Sequence, residues 1–339
     1  MDILASLPAV IALILGLALL VGGGELLVRG AAALTLKADI PPLIIGLTVV
    51  SMGTSAPELF ASVEAALAGT PGLAVGNVLG SNVANLALIL GLTALVCPLK
   101  VDRMALRLDI PLMLGISVLF LFAASDLAIS RTEGMVGLAL MAAFLANLYW
   151  RSQRQGAQDA QDAQDGEDVQ DGEEVESLKE AGEWAGRSAP FLLGALALGI
   201  GGLYLGAECF VDGARRVALQ AGVSNRVVGL TIVAFGTSVP ELVASGIAAL
   251  RGQADMAIGN VVGSNLFNLL LVLGTTATIT PLPMGPEVLT WDVWWVLGTA
   301  AALIPLALLG GMKMPKLGRW QGALFLLAYL TYTALTWMA

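Results

Sequence analysis

An internal repeat constrains the fold of this chain more than any other feature of its sequence. Residues 46–91 and residues 229–274 align without a gap, and 28 of these 46 positions are identical at a constant offset of 183. The same offset extends the match toward the amino-terminal side, where Glu25 corresponds to Glu208. We therefore expect two structurally equivalent halves.

Each half consists mainly of long apolar runs. Apolar residues make up 57% of the 339 residues and charged residues only 13%, whereas soluble domains carry about 25% charged residues. Continuous runs of about 20 apolar residues cross a bilayer as helices, and they differ from the alternating polarity of a membrane barrel. Ten such runs lie at 7–28, 40–68, 73–96, 108–125, 134–150, 190–211, 227–250, 255–279, 290–310 and 320–338. The predicted fold class is an all-α membrane protein with ten transmembrane helices.

The number of spans in each half determines how the halves are related. Five spans in each half place the second copy upside down in the membrane, because an odd number of crossings returns the chain on the opposite side. Inverted repeats are typical of secondary transporters, whose substrate site lies near the bilayer midplane between the repeats. The predicted architecture is therefore two inverted five-helix repeats, and the predicted function class is a transporter.

A hydrophilic segment separates the halves. Residues 151–187 contain 11 Asp and Glu against 4 Lys and Arg. Because such a composition cannot bury a core, we expect an acidic disordered linker at 151–187 between membrane repeats at 1–150 and 188–339. With both termini outside, the cytoplasmic connections hold 13 Lys and Arg and the outer connections hold 4. This excess favours a plasma (inner) membrane protein with outside termini and a cytoplasmic linker.

A short motif interrupts one apolar run in each half. The motif reads GTSAPE at 53–58 and GTSVPE at 236–241. Proline cannot donate the helical hydrogen bond, so each helix is expected to break at its motif. The Thr–Ser pair lies three and four residues before the Glu, which predicts that it shares a helical face with its own carboxylate. An ionisable residue in mid-membrane is costly and marks a functional site, so Glu58 and Glu241 are the leading candidates.

A second motif lies in the following run of each half. It reads GNVLGSNVAN in the first half and GNVVGSNLFN in the second. Each copy places a serine and an asparagine four residues apart on one helical face, namely Ser81 with Asn85 and Ser264 with Asn268. Hydroxyl, amide, backbone carbonyl and carboxylate oxygens form a hard ligand set that suits Ca²⁺ or Na⁺. Packing or capping explains the neighbouring Asn82 and Asn265 equally well.

The paired GTSxPE and GSNxxN motifs resemble the α-repeats of the cation/Ca²⁺ exchanger superfamily, in its prokaryotic sodium/calcium exchanger branch. The resemblance implies a core of spans 2, 3, 7 and 8 that holds the cation sites, with spans 1 and 6 as a sliding gate. The ligands that it implies in the first half are the Ser51 backbone carbonyl, Thr54, Ser55, Glu58, Ser81 and Asn85. The ligands in the second half are the Ala234 backbone carbonyl, Thr237, Ser238, Glu241, Ser264 and Asn268.

One position departs from the family pattern. Many relatives carry Asp where this chain has Asn268, so only Glu58 and Glu241 bring negative charge to the implied cluster. Their combined charge balances one Ca²⁺ or two Na⁺, whereas the three-for-one exchange implied by the resemblance leaves an excess positive charge. The resemblance implies a Na⁺/Ca²⁺ antiporter, and this departure weakens the case for a K⁺-dependent exchanger.

Other functions remain open from the residues alone. In a H⁺/Ca²⁺ antiporter of the same superfamily, the two glutamates would carry protons and Ca²⁺ in turn, although the adjacent hydroxyl pairs favour Na⁺. A cation channel would need no inverted repeat and no counter-ion on the far side. We expect no enzyme, because the chain lacks His and any GxSxG motif. We expect no cofactor and no nucleic-acid partner, only the lipid bilayer and the transported Na⁺ and Ca²⁺, with a monomer as the functional unit.

Overall fold

The computed structural model describes residues 8–165, 182–222, 236–311 and 314–338 of the chain. These residues form a bundle that is almost entirely helical. The helices are α1 (Ala9–Ala38), α2 (Pro42–Thr54), α3 (Ala56–Leu67), α4 (Pro71–Val96), α5 (Ala105–Asp126), α6 (Arg131–Asp165), α7 (Ala189–Gln220), α8 (Val239–Leu250), α9 (Ala254–Ile279), α10 (Val288–Gly310) and α11 (Arg319–Met338). The predicted all-α fold class is confirmed.

The lengths and compositions of the helices identify candidate membrane spans. Seven helices are long and apolar enough to cross a bilayer, and α2 with α3 forms an eighth candidate that is bent by 43°. α8 is a shorter apolar helix, since residues 223–235 at the start of the predicted seventh span lie outside the described part of the chain. The predicted tenth span coincides with α11, in which threonine, tyrosine and glutamine interrupt the apolar residues. The chain is a multi-span membrane protein, and the count of ten stays a prediction.

The 183-residue offset recurs in the boundaries of the elements. α3 at Ala56–Leu67 is reproduced by α8 at Val239–Leu250. The π-helical turn Ala105–Asp109, which begins α5, is reproduced at the start of α10 by Val288–Asp292. The repeated sequence therefore forms repeated local structure, including irregular turns that hydrophobic periodicity does not predict.

Two small sheets join the halves. The strands are β1 (Leu99–Lys100), β2 (Ala128–Ile129), β3 (Leu282–Pro283) and β4 (Lys316–Leu317). β1 pairs antiparallel with β4, and β2 pairs antiparallel with β3. Each sheet thus takes one strand from each half and ties the ends of their helices together.

α1 and α7 pack against each other through glycine. A Cβ atom built on Gly23 would lie 2.7 Å from the backbone nitrogen of Leu203, and one on Gly213 would lie 2.8 Å from the backbone nitrogen of Leu13. Small residues allow helix backbones in a membrane to approach this closely. Because early α1 residues meet late α7 residues and late ones meet early ones, the two helices run antiparallel.

The motif-bearing helices lie at the centre of the molecule. In the spans of α4 and α9, 78% and 94% of the residues are buried, whereas the other long spans are 22% to 33% buried. The outer helices therefore expose apolar side chains around a shielded core, as lipid-facing helices do.

The predicted linker begins with helical structure. α6 continues from its apolar part to Asp165, 15 residues into the segment 151–187. Alanine and glutamine recur in this extension, and both favour helix. Residues 166–181 of the predicted linker lie outside the described part of the chain.

Candidate functional site

Each motif glutamate lies just after a break in its helix. Ser55, between α2 and α3, leaves helical geometry at φ −83° and ψ 3°. In the second half, Ser238 adopts nearly the same angles, φ −88° and ψ 1°, in front of α8. Pro57 and Pro240 follow in the first helical turn, where a missing N–H costs no hydrogen bond. The breaks predicted from the two prolines are confirmed.

The breaks place both carboxylates at helix amino termini. Glu58 lies in the first turn of α3, and Glu241 lies in the first turn of α8. The first N–H groups of a helix have no partner within it, and the helix dipole is positive at this end. Both effects stabilise a negative charge in the interior of the bundle.

The two carboxylates are close together, and each faces hydroxyls of the other half. The Ser55 hydroxyl donates to Glu241 Oε1 at 3.3 Å, and Thr54 also lies beside this carboxylate. Glu58 lies beside Thr237. The Thr–Ser pairs were expected to share a helical face with the carboxylate of their own motif. The helix break redirects them across the interface between the halves instead.

This pair of carboxylates is buried without a compensating cation from the protein. Glu58 is 1% exposed and Glu241 is 0% exposed. Neither forms an ion pair with a Lys or Arg of the described residues. Two ionised carboxylates repel each other, and burying an uncompensated charge costs several kcal/mol, on the order of 3–5. A bound cation between them removes both penalties.

Several buried oxygens around the carboxylates lack a hydrogen-bond partner. Buried polar atoms are normally satisfied, so a cluster of exceptions points to a missing ligand. Among the described residues, the unpartnered oxygens that belong to predicted site residues are Glu58 Oε2, Glu241 Oε2, Thr237 Oγ1, Ser264 Oγ, Asn85 Oδ1 and Asn268 Oδ1. Asn265 Oδ1 and Thr93 Oγ1, which are not predicted ligands, also lack a partner. Carboxylate, hydroxyl and amide oxygens together are the ligands that hard cations prefer.

The remaining predicted site residues meet at the same interface. Ser238 donates to Ser81 at 3.5 Å, which links the two halves. Asn85 and Asn268 lie in the π-helical turns Ala84–Ile89 and Asn268–Val272, and π-turns are frequent at functional sites. Asn82, for which packing or capping was one explanation, accepts a hydrogen bond from Asn268 at 3.1 Å.

Two of the predicted ligands are backbone carbonyls. The Ser51 carbonyl accepts hydrogen bonds from the Ser55 backbone at 2.9 Å and from Thr54 Oγ1 at 3.4 Å. The Ser51 hydroxyl is occupied as well, because it donates to the Gly46 carbonyl at 2.6 Å. Ala234, its counterpart in the second half, lies outside the described residues.

Sequence reasoning missed a second layer of polar residues behind the site. Asn77 donates to Ser62 at 3.1 Å, and Asn260 donates to Ser245 at 2.9 Å. These pairs occupy equivalent positions at the offset of 183. Identical polar residues in both copies of an apolar repeat were the signal that would have identified them.

An open cavity of 420 Å³ reaches the site from one side. It lies between α3 and α7, and its lining includes Thr237, Glu64, Glu208, Asp212 and Arg215. Arg215 pairs with Asp212, and three carboxylates against one guanidinium leave the wall net acidic. Acidic walls raise the local concentration of cations. The cavity therefore offers them an approach to the carboxylate pair.

Ion pairs occupy the equivalent place in the other half. Glu25 pairs with Arg29 at 2.5 Å within α1, and with Arg251, which follows α8. The repeat counterparts of Glu25 and Arg29 are Glu208 and Asp212, which line the cavity. One side of the site thus has an open, net acidic cavity, and the other has an ion pair that links the two halves.

Comparisons with known proteins show the family that this chain resembles. The family profile described as "Sodium/calcium exchanger protein" matches residues 8–152 and 191–338. The sodium/calcium exchanger MaX1 of Methanosarcina acetivorans is 31% identical over 340 residues, covering 94% of this chain and 96% of the relative. The inner membrane protein YrbG of Escherichia coli is 38% identical over 332 residues, covering 96% of both. A solved structure of the sodium-calcium exchanger NCX_Mj superposes with a TM-score of 0.77 at 32% identity, covering 98% of this chain and 99% of that one.

Proposed function

The chain belongs to the sodium/calcium exchanger protein family and is a Na⁺/Ca²⁺ antiporter, and we propose that it exchanges the two ions at the site formed by Glu58 and Glu241. The observation that carries this proposal is the buried carboxylate pair, with one member from each half and no cationic partner among the described residues. Relative movement of the halves changes the oxygens that face the cation, which is what alternating access requires.

The charges at the site explain why the two ions exclude each other. One Ca²⁺ balances the two carboxylates, and so do two Na⁺. A third Na⁺ would have to be held by neutral oxygens, such as those of Thr237 and Ser264, which lack hydrogen-bond partners. Because the same oxygens serve both ions, binding of one requires release of the other. The predicted ligands Thr54, Ser55, Ser81, Asn85, Ser238 and Asn268, with the carbonyls of Ser51 and Ala234, complete the proposed set.

The proposed architecture is ten spans in two inverted five-helix repeats, at 1–150 and 188–339, joined by an acidic cytoplasmic linker at 151–187. The antiparallel packing of α1 against α7 supports it, since these helices occupy equivalent positions in the repeat. The positive-inside rule supports outside termini in the inner membrane. The functional unit is proposed to be a monomer, because both carboxylates come from one chain.

With this orientation, the acidic cavity opens to the outside and the ion pairs of Glu25 close the cytoplasmic side. The conformation described here is then the outward-open one. In the opposite conformation the cluster of Glu25, Arg29 and Arg251 separates, and a path forms at its place. The repeat supports this interpretation, because the acidic cavity and the ion-pair cluster occupy equivalent positions in the two halves.

Arg251→Ala is expected to shift the protein toward the inward-open conformation. It removes the ion pair between Glu25 and the end of α8. A partly exposed ion-pair network is worth about 1 kcal/mol, which corresponds to a roughly fivefold change in population. Because the outward-open conformation is the favoured one, the half-saturating Ca²⁺ concentration should fall severalfold on the cytoplasmic side and rise only slightly on the outside, measured in vesicles of known orientation.

Arg131→Ala is the control, because Arg131 is exposed and bonds only the Ile279 backbone carbonyl among the contacts described for it. This variant should leave both half-saturating concentrations unchanged. Equal changes on the two sides in Arg251→Ala would contradict the role of the ion pairs as a cytoplasmic closure.

The coupling ion is tested by Ca²⁺ uptake into proteoliposomes. We expect uptake when an outward Na⁺ gradient is imposed, and none when an outward H⁺ gradient replaces it. Uptake driven by H⁺ alone would favour the H⁺/Ca²⁺ alternative. Ca²⁺ flux that needs no counter-ion would indicate a channel.

A further inference from the structure

Asn260 lies directly behind the carboxylate site and contacts both halves. It belongs to α9 and is 1% exposed. Its side-chain oxygen Oδ1 accepts a hydrogen bond from Thr54 Oγ1 at 3.2 Å. Its nitrogen Nδ2 donates to Ser245 Oγ at 2.9 Å and reaches the Glu241 backbone carbonyl at 3.5 Å. One amide therefore connects the Thr54 hydroxyl to the segment that carries Glu241.

These contacts fix the orientation of the amide. Nδ2 is a donor only and Oδ1 is an acceptor only. Because Ser245 Oγ and the Glu241 carbonyl lie on the nitrogen side, the oxygen is held toward Thr54. The amide cannot turn over without placing two acceptors against each other at the Glu241 carbonyl.

The fixed position of the Asn260 amide oxygen determines the direction in which the Thr54 hydroxyl donates its hydrogen. A hydroxyl that binds a cation must direct its lone pairs at the ion and its hydrogen elsewhere. Besides the Glu241 carboxylate next to it, the hydrogen of Thr54 has two acceptors, Asn260 Oδ1 at 3.2 Å and the Ser51 carbonyl at 3.4 Å. Asn260 supplies the nearer one and comes from the other half, so it couples the orientation of the hydroxyl to the position of α9.

We propose that Asn260 is a positioning residue that orients the Thr54 hydroxyl toward bound Na⁺, and that this arrangement operates in one half only. The equivalent Asn77 bonds Ser62, and among the described residues it does not bond the Thr237 hydroxyl, which lies beside Glu58. The hydroxyl beside Glu241 is thus oriented by an amide of the opposite half, and the one beside Glu58 is not. The two sides of the site differ in spite of their repeated sequence.

Loss of the Thr54 orientation should affect Na⁺ binding more than Ca²⁺ binding. Ca²⁺ carries twice the charge of Na⁺, so its binding depends mainly on the two carboxylates. Na⁺ gains less from each carboxylate and relies more on oriented neutral oxygens. A disordered Thr54 hydroxyl should therefore weaken Na⁺ binding more than Ca²⁺ binding.

This inference rests on the proposed antiporter function, and Asn260→Ala tests it with Asn77→Ala as the matched control. The loss of one buried hydrogen bond predicts a rise of about 3- to 10-fold in the half-saturating Na⁺ concentration of Asn260→Ala. The Ca²⁺ half-saturating concentration should change less than about twofold. Asn77→Ala should change both values less than about twofold, because Asn77 does not hold Thr237.

A double-mutant cycle separates positioning from a general effect on structure. In a Thr54→Val background there is no hydroxyl to orient, so adding Asn260→Ala should not raise the Na⁺ value further. Additive effects, or equal changes for Na⁺ and Ca²⁺, would overturn the proposal. Thermal unfolding in detergent reports whether each variant folds. If Asn260→Ala does not fold, Asn260→Ser retains a polar group too short to reach Thr54 and should show the same Na⁺ shift.

Exchange by the parent protein in the same vesicles distinguishes a failure of the antiporter function from a failure of the positioning role. Absence of Na⁺-driven Ca²⁺ uptake by the folded parent would contradict the antiporter function itself. Parent exchange together with an unchanged Na⁺ response in Asn260→Ala would contradict the positioning role alone.

Discussion

Glu58→Gln and Glu241→Gln are each expected to reduce Na⁺-driven Ca²⁺ exchange by about 100-fold or more. Each change removes one of the two buried carboxylates that we propose to hold a divalent cation. Removing one partner from a buried set of charges typically costs about 3–5 kcal/mol, which corresponds to about 100- to 4,000-fold. Initial rates of Ca²⁺ uptake into proteoliposomes measure the effect, with gel filtration to show that the variants are folded.

Glu64→Gln is the matched control for this prediction. Glu64 lies on the same helix as Glu58, but it is exposed and lines the acidic cavity. Its neutralisation should change exchange by less than about threefold, since it contributes only to attraction from a distance. Near-parent exchange by either site variant, correctly inserted and folded, would remove that glutamate from the cation site.

Gly23→Leu is expected to abolish exchange. A Cβ atom at Gly23 would lie 2.7 Å from the Leu203 nitrogen and 2.8 Å from the Gly202 carbonyl carbon. These are backbone atoms, which cannot turn aside as a side chain can, so α1 and α7 would have to separate. Overpacking costs about 1–3 kcal/mol or more. In Gly23→Leu this cost would affect the packing of α1 against α7, the helices that the family resemblance implies as the sliding gate. Exchange rate and thermal unfolding temperature measure the two consequences.

Gly22→Leu adds the same side chain one position away and serves as the control. A Cβ atom at Gly22 would meet nothing within 4 Å. The variant should therefore keep its exchange rate and unfolding temperature close to the parent values. If Gly23→Leu behaved in the same way as Gly22→Leu, close contact between α1 and α7 would not be needed for function.

The sequence allowed the helix breaks and the two central carboxylates to be predicted, because proline and buried charge have strong local consequences. It did not indicate which hydroxyl meets which carboxylate. Sequence spacing paired Ser55 with the Glu of its own motif, whereas the structure pairs it with Glu241. That contact depends on how the halves dock, and the offset of 183 relates equivalent residues without saying which residues touch.

The sequence repeat also did not predict that equivalent residues of the two halves make different contacts at the site. Asn77 and Asn260 are identical residues at equivalent positions, yet in the described part of the chain Asn260 bonds the motif hydroxyl of the opposite half and Asn77 does not. The same holds for Glu25 and Glu208, of which one lies in an ion-pair cluster and the other lines a cavity. A repeat in sequence implies equivalent folds, but the conformation of a transporter at any moment is not symmetric.

Competition between Na⁺ and Ca²⁺ for one site tests the central claim most directly. Binding of radioactive Ca²⁺ to the purified protein should weaken as Na⁺ replaces K⁺ at constant ionic strength. Because more than one Na⁺ is needed to balance the two carboxylates, a plot of the logarithm of the half-saturating Ca²⁺ concentration against that of Na⁺ should have a slope greater than one. Ca²⁺ binding that is the same in Na⁺ and in K⁺ would contradict a shared site for the two exchanged ions.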